Sequence, residues 1–434
     1  MRVNGWSAPP GPPVAYIDLD AIRHNLAVIR AAVPPGVRLC PAVKANAYGH
    51  GAVAILPALR QAGVDRLAVA TLDEAIEVRE RRWTGAILVL GRPCHGETER
   101  ESVALASESL RYGLTCTVSD TIELLRLAKA ARGIGRVASV HIKLDTGMGR
   151  AGSLPQTVSA LVETARSTPE IRVEGIYTHL ASADEADLTF ARRQLSVFAE
   201  ATDAMVGTVR HAANTAAIFR LPESHYDMVR PGVSVYGYWP DPHQVSPVPL
   251  RPCLRVIGRV IAVKRLPKGH AVGYGCTFVT SRESLVGLVP VGYADGYPRA
   301  LGNRGVMTLR AATDRPMMVP VIGRVSMDQT VIDLTDVPDV RENEPVVIIH
   351  DDPAAPNSVA ALARLMGTIP YEVTCGLGRR IRRVTAGQDA ATRVALSAVS
   401  RYSERHGGQA AEEPTEHGDT DLRCSRNSSG DRRS

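Results

Sequence analysis

The stretch Ala42-Val43-Lys44-Ala45-Asn46-Ala47-Tyr48-Gly49-His50-Gly51 decides the reading of this chain. It continues the run Arg38-Leu39-Cys40-Pro41, whose apolar character marks a short buried strand over 39–43. A lysine at the end of such a strand sits on a rigid support and presents its amine to whatever space the next loop encloses. Schiff-base chemistry needs such an amine, fixed and desolvated enough to be neutral near pH 7. Taken alone, Lys44 would read as a snorkelling surface residue.

Outward from this segment the pattern repeats. Short β-branched runs lie at 39–43, 66–70, 86–90, 114–118, 139–144, 173–179, 209–213 and 228–236. Amphipathic stretches separate most of them, such as 120–131 and 188–205, the first opened by Asp120 as a helix-starting residue. Eight strand–helix units over residues 14–240 predict an α/β fold, a (β/α)8 barrel. From residue 246 the texture changes to short strands at 255–263, 285–291, 317–322, 330–334 and 345–349. Turn signals part them (Pro267-Lys268-Gly269, Asp295-Gly296, Asp351-Asp352-Pro353), and one helix is expected at 358–366. A second, mainly β domain over 246–385 follows, with residues 240–249 and their four prolines as the linker. Residues 1–13 read as a loose N-terminus. Residues 403–434 hold one aliphatic side chain larger than alanine, Leu422, and read as a disordered tail unable to offset its ordering entropy.

Composition narrows the function. A length of 434 residues suits two domains, and 44% hydrophobic with 22% charged residues is ordinary for a globular chain. The net charge of +6 is spread along the sequence, apart from Arg379-Arg380-Ile381-Arg382-Arg383, and no aromatic-interleaved basic patch points to nucleic acid. Seven cysteines without a Cys-x-x-Cys pair argue against a disulfide framework or zinc site, so no metal is expected. No leader-like or membrane-spanning apolar stretch stands out, so a cytoplasmic protein without membrane partners is expected.

In a barrel of this kind the active groups come from the C-terminal ends of strands. Lys44 follows strand one. Lys143, Asp145 and Arg150 lie at and after strand five, His179 ends strand six, Asn214 and Thr215 end strand seven, and Arg230, Gly232 and Val233 belong to strand eight. His179 alone would more often be a satisfied core histidine, and Arg230 alone a barrel-end surface residue.

Over roughly residues 14 to 385 the chain resembles the alanine racemases, barrel-type enzymes that use pyridoxal phosphate. The resemblance is carried in order by Ile17-Asp18-Leu19-Asp20-Ala21-Ile22-Arg23-His24-Asn25-Leu26, the Lys44 decamer, residues 145–150, Tyr177-Thr178-His179, Ala213-Asn214 and Val229-Arg230-Pro231-Gly232. It continues through Val291-Gly292-Tyr293-Ala294-Asp295-Gly296, Gly323-Arg324-Val325-Ser326-Met327-Asp328-Gln329 and Pro370-Tyr371. It implies that Lys44 forms the Schiff base with the cofactor and serves as base on one face of the substrate Cα. Tyr293, reaching in from the partner of a homodimer, would be the acid/base on the other face. A phenol ordinarily ionises near pH 10, so a tyrosine base needs help, and His179 would hydrogen-bond it. Arg230 would face the pyridine nitrogen; an arginine can only donate, which weakens the cofactor as an electron sink and disfavours transamination. Arg150 would contact the cofactor's phenolic oxygen and the substrate carboxylate, Lys143 matches a lysine often carbamylated in the family, and the partner's Met327 would offer its backbone N–H to that carboxylate. The phosphate would be held by Tyr48, Thr215, Tyr371 and the backbone at Gly232 and Val233, with Asn214 also at the cofactor.

Departures from the family pattern are Thr215 for serine, Gly273 for serine, Ser326 where many members have cysteine, and no proline after Arg379-Arg380. None removes a catalytic group. The implied reaction is L-alanine to D-alanine for peptidoglycan. The alternative within enzymes is a serine or broad-specificity racemase, since one methylene is worth only about 1–3 kcal/mol of discrimination. A non-catalytic cofactor-binding barrel would lack the second domain and Tyr293, and a barrel-type decarboxylase would show a glycine-rich phosphate loop that is not apparent.

Overall fold

A computed structural model describes residues 2–3, 6–7, 11–313 and 315–386. The expected tail at 403–434 lies outside the described residues, as does most of the expected loose segment 1–13; within the latter, Arg2–Val3 pairs antiparallel with Trp6–Ser7.

Eight parallel strands form the barrel: Arg38–Leu39, Arg66–Val69, Ala86–Val89, Thr115–Val118, Ala138–Lys143, Ile171–Tyr177, Val209–His211 and Met228–Val229. Strands two to seven form one sheet, and strand eight pairs with strand one. The ring closes through backbone bonds. Val43 N donates to Ala68 O (2.8 Å) and Ala68 N to Pro41 O (2.9 Å), joining strands one and two. Arg230 N donates to Ala213 O (3.0 Å) and Asp227 N to Arg210 O (3.0 Å), joining strands seven and eight.

Two strands are shorter than their apolar runs. Pro41 brings no N–H to the ladder, so strand one has two regular residues and then only a bridge between Ala42 and Ala68. Strand eight stops before Pro231, and Val233–Tyr236 is a 3-10 turn rather than the continuation expected from its sequence. The helices match their boundary residues. Asp120 caps Thr121–Gly133 by accepting from Glu123 N (2.8 Å), and Thr71 with Glu74 and Thr98 with Glu101 make capping boxes.

The C-terminal region is mainly antiparallel. Its six-stranded sheet runs Met317–Pro320, Val306–Leu309, Pro345–Ile349, Leu254–Arg259, Val14–Asp18, Arg382–Ala386. Val14–Asp18, which opens the segment read as the barrel, is therefore a strand of this sheet, paired with residues 254–257 and 382–386. A three-stranded sheet of Ala262–Leu266, Ser284–Val289 and Thr330–Asp333 packs its own small core around Leu266, Val272, Val286 and Ile322. Helix Val359–Met366 is capped by Ser358, and a second short helix, Pro370–Cys375, carries Tyr371.

Candidate active site

The ten residues that open the sequence reading do something their propensities hide. Ala45, Asn46, Ala47 and Tyr48 all lie in the left-handed region, with φ between 52° and 56°. They make one left-handed helical turn directly after Lys44. For residues with a Cβ this conformation costs about 1–2 kcal/mol each, so the surroundings must impose it. Ala47 N bonds Val43 O (2.7 Å), Gly49 N bonds Ala45 O (2.9 Å), and Asn46 Oδ1 accepts from Ala52 N (2.8 Å). Glu74 clamps the turn from helix Leu72–Glu80: Oε1 accepts from Ala45 N (2.6 Å) while Oε2 accepts from Ala70 N (2.7 Å). Gly49, at φ 83°, lies so close to the helix Pro370–Cys375 that a Cβ would fall 1.9 Å from Thr374 O. The turn thus fixes Lys44 at the barrel mouth and points Tyr48 inward.

The groups around Lys44 are cationic. The half-buried Lys44 amine is held below its ordinary pKa, first by burial and then by Arg150. Lys143 is buried, 5.8 Å above the Tyr177 ring, and is pulled down to about 8 by burial, Arg150 and Arg230. His179 is pushed well below its usual range by burial and by Arg230. Asp145 is the nearby acid. Burial opposes its ionisation, but N–H groups of Gly147 (2.9 Å), Met148 (2.9 Å) and Gly149 (3.2 Å) converge on Oδ1 and leave it depressed overall. That turn carries Arg150, which is exposed.

Arg230 is buried beneath this cluster, its guanidinium 5.1 Å above the Tyr177 ring. It donates to Thr178 O (2.7 Å), Ala212 O (3.0 Å), His211 Nδ1 (2.6 Å) and, at 3.3 Å, toward His179 Nδ1. No carboxylate is among its hydrogen-bond partners in the described residues.

Beside it lies a cradle of hydroxyls and amides. Thr215 Oγ1 accepts from Gly232 N (2.9 Å), and lies 3.2 Å from Ser234 Oγ. A Cβ added at Gly232 would sit 2.8 Å from Tyr48 Oη and 3.7 Å from Thr215 Oγ1, so the missing side chain leaves the opening toward these hydroxyls. Tyr48 packs between Tyr236 (ring centroids 5.3 Å) and Tyr371 (5.6 Å). Asn214 is already engaged: its Oδ1 caps helix Thr215–Arg220 at Ala217 N (3.1 Å) and its Nδ2 donates to Leu180 O (3.2 Å), which sets the position of Thr215. A phosphorylated pyridine aldehyde fits these groups: an amine with a lowered pKa, a donor-only guanidinium, and a small-anion cradle at suitable ends.

Lys44, Tyr48, Lys143, Arg150, His179, Asn214, Thr215, Arg230, Gly232, Val233 and Tyr371 all lie on the barrel mouth or against its turn. Tyr293 and Met327 do not join them. Their loops are laced together, Tyr293 N to Ser326 O (3.1 Å) and Ala294 N to Met327 O (3.0 Å), and the two residues are 44% and 53% exposed. Within this chain no hydrogen bond among the described residues links Tyr293 to His179.

Glu74, His211 and Tyr236 escaped the sequence reading. The Thr71-x-x-Glu74 spacing signals a capping box, though not its second role. Nothing local marks His211 or Tyr236, whose Oη donates to Ala42 O (2.8 Å) beside the pairing of strands one and eight.

A two-domain barrel with a lysine clamped at its mouth, above a buried donor-only arginine and an anion cradle, defines an enzyme of amine chemistry on a phosphorylated cofactor. Residues 17–240 match the alanine racemase N-terminal domain, and residues 253–385 the alanine racemase C-terminal domain. An alanine racemase of Symbiobacterium thermophilum is 39% identical over 384 residues, covering 87% of this chain and 98% of that protein. The alanine racemase of D-cycloserine-producing Streptomyces lavendulae superposes with a TM-score of 0.80 at 35% identity, over 88% of this chain and 99% of that one. That of Bartonella henselae, solved with covalently bound pyridoxal phosphate, gives 0.75 at 28% identity, over 87% and 100%. The chain belongs to the alanine racemase family, a family of pyridoxal-phosphate-dependent isomerases. Among the described residues no helix is long and apolar enough to cross a membrane.

Proposed function

We propose that this protein binds pyridoxal phosphate through Lys44 and interconverts L- and D-alanine by a two-base mechanism, supplying D-alanine for peptidoglycan. The observation that carries this is the grouping at one barrel mouth of the depressed Lys44 amine, the donor-only Arg230 and the Tyr48–Thr215–Gly232 cradle. When bound, the cofactor supplies the electron sink that makes the substrate Cα–H acidic. The chain's own groups do the rest. Tyr48, Thr215, Tyr371 and the amides at Gly232 and Val233 hold the phosphate. Arg230 would donate toward the ring nitrogen and keep it unprotonated, which would limit delocalisation and guard against transamination. Arg150 and the backbone N–H of Met327 from a second subunit orient the substrate carboxylate. Lys44 Nζ exchanges a proton on one face of Cα and Tyr293 Oη, also from the second subunit, on the other. The exposure of Tyr293 and Met327, with their loops laced into one platform, supports a homodimer with shared sites.

Purified protein with pyridoxal phosphate, incubated separately with L-alanine and L-serine, should yield D-alanine far ahead of D-serine by chiral chromatography. Comparable or reversed rates would reject the alanine assignment in favour of a broader racemase.

A further inference from the structure

A buried polar chain runs from Arg230 into the barrel, and it goes beyond the roles assigned above while resting on the reading of Arg230 as the ring-nitrogen partner. Arg230 Nη1 lies 2.6 Å from His211 Nδ1, and His211 Nε2 lies 2.8 Å from His141 Nδ1. His141 Nε2 in turn faces Glu174 Oε2 at 4.0 Å, with Arg66 Nη1 at 3.5 Å. Glu174 is ion-paired with Arg66 and accepts from Thr115 Oγ1 at 3.3 Å. Both imidazoles are fully buried, and Gly175 leaves room for the His141 ring, which a Cβ there would meet at 2.6 Å.

The directions in this chain are forced. A guanidinium has no acceptor, so His211 Nδ1 must accept from Arg230. Burial keeps both histidines neutral, with His211 held well below its usual range and His141 down at about 3. The proton of neutral His211 is therefore on Nε2, which donates to His141 Nδ1. The two short contacts outweigh the 3.5 Å approach of Arg66 Nη1, which can only donate and so makes no hydrogen bond to a protonated Nε2. The proton of His141 is then also on Nε2, facing Glu174 across 4.0 Å as an electrostatic contact. Every N–H dipole points away from Arg230, and every lone pair points toward it.

We infer that His211 and His141 are positioning residues, a tautomer-locked relay that lets the distant Glu174 carboxylate stand in for the counter-ion that Arg230 lacks. A buried cation costs heavily unless it is paired or hydrogen-bonded. Here an adjacent carboxylate would also compete for the guanidinium face that must meet the cofactor. Oriented neutral imidazoles stabilise the cation from behind and leave its donor-only front unchanged.

The test uses cofactor-loaded enzyme labelled with [15N]histidine, recorded by long-range 1H–15N NMR between about pH 6 and pH 9, beside the visible spectrum and steady-state rates. His211 and His141 should both be neutral, carry the proton on Nε2, and not titrate. Glu174→Gln should slow racemisation about 3-fold, and His141→Leu about 10-fold, at unchanged KM and with a shifted cofactor absorbance. His141→Asn, whose Oδ1 replaces the accepting Nδ1, should recover most of the loss seen in His141→Leu. A proton on Nδ1 of either histidine would overturn the relay. So would wild-type absorbance and rate in both Glu174→Gln and His141→Leu. If His141→Leu does not fold, Glu174→Gln, of equal volume and outside the site, decides. If wild-type protein takes up no cofactor, the proposed function fails, while the histidine tautomers in the same sample still decide the relay.

Discussion

Gly232→Ala is the sharpest probe of the cradle, because the structure sets its cost. The new Cβ would sit 2.8 Å from Tyr48 Oη, where ordinary contact begins at 3.4 Å, so something must yield by about 0.6 Å. Tyr48 is poorly placed to give way. Its backbone is locked in the left-handed turn, and its ring is held between Tyr236 and Tyr371. Overpacking of this kind costs about 1–3 kcal/mol. Displacing the Tyr48 hydroxyl from a phosphate dianion loses roughly another 1.5–3 kcal/mol. At about 1.4 kcal/mol per factor of ten, the cofactor Kd should rise on the order of 100-fold or more. Tyr48→Phe alone loses the hydroxyl without the clash and should weaken binding about 10- to 150-fold. The next atom from the added Cβ is Tyr48 Cζ, at 3.5 Å, an ordinary contact. The double variant should therefore bind about as well as Tyr48→Phe, with the glycine substitution nearly silent in that background. The assay is titration of apo-protein with pyridoxal phosphate, followed by absorbance, for the full double-mutant cycle. Additive losses would refute the steric argument, and unchanged affinity in Gly232→Ala would remove the cradle from the phosphate altogether.

Tyr293→Phe should retain the cofactor band yet slow racemisation by about 100-fold or more, typical of losing a general acid–base group, and more severely from L-alanine; equal, mild losses in both directions would reject the two-base assignment. Lys143, lowered from 10.5 to about 8, is destabilising while charged in the fold. That penalty is fully present below about pH 8 and vanishes as pH rises through 10.5, so Lys143→Met should stabilise carbon-dioxide-free apo-protein at pH 7 by up to about 3 kcal/mol and flatten the stability gain over that window. Thermal unfolding across pH reads it, and parallel wild-type and variant curves would show that the amine is not desolvated. Because Tyr293 and Met327 stand away from Lys44 in one chain, activity should track the dimer in sedimentation, and a fully active monomer would contradict the shared site.

What could be read from the sequence depended on the range over which each feature is fixed. The eight barrel strands are visible because each is a short β-branched run with its own boundary residues, and Asp120 starts its helix through a contact three residues away. Pro41 and Pro231 shorten strands one and eight by removing ladder donors, a local effect that the apolar runs mask. The left-handed turn is a different matter. Ala45-Asn46-Ala47-Tyr48 has no preference for that conformation, and what imposes it includes Glu74, 29 residues on, and the close approach of Thr374 to Gly49. The grouping of Lys44, Arg150, His179 and Arg230 at one mouth follows from strand-end positions. The links behind Arg230 do not, since His141 and His211 are 70 residues apart and meet only because strands five and seven flank strand six, where Gly175 leaves room for the His141 ring.

The electrostatics of the mouth explain why this fold holds a cluster of cations that it does not itself neutralise. Arg150 and Arg230 each lower the pKa of Lys44, Lys143 and His179, and Arg150 is the first charge after burial to act on both lysines. Glu74 and Asp145 oppose this, but Glu74 is spent on backbone N–H groups and Asp145 on its own turn. Burial first, and this repulsion after it, lower the Lys44 pKa, which favours the neutral amine that attacks a carbonyl. The repulsion also leaves positive potential that a phosphate dianion, a phenolate and a substrate carboxylate would each relieve. On the proposed function, the strain of the left-handed turn and the mutual repulsion of these cations are a cost of the apo-protein that cofactor binding would offset. Cofactor affinity and folding stability are then coupled through the same residues, so a variant that discharges the mouth stabilises the empty protein while weakening its hold on the cofactor.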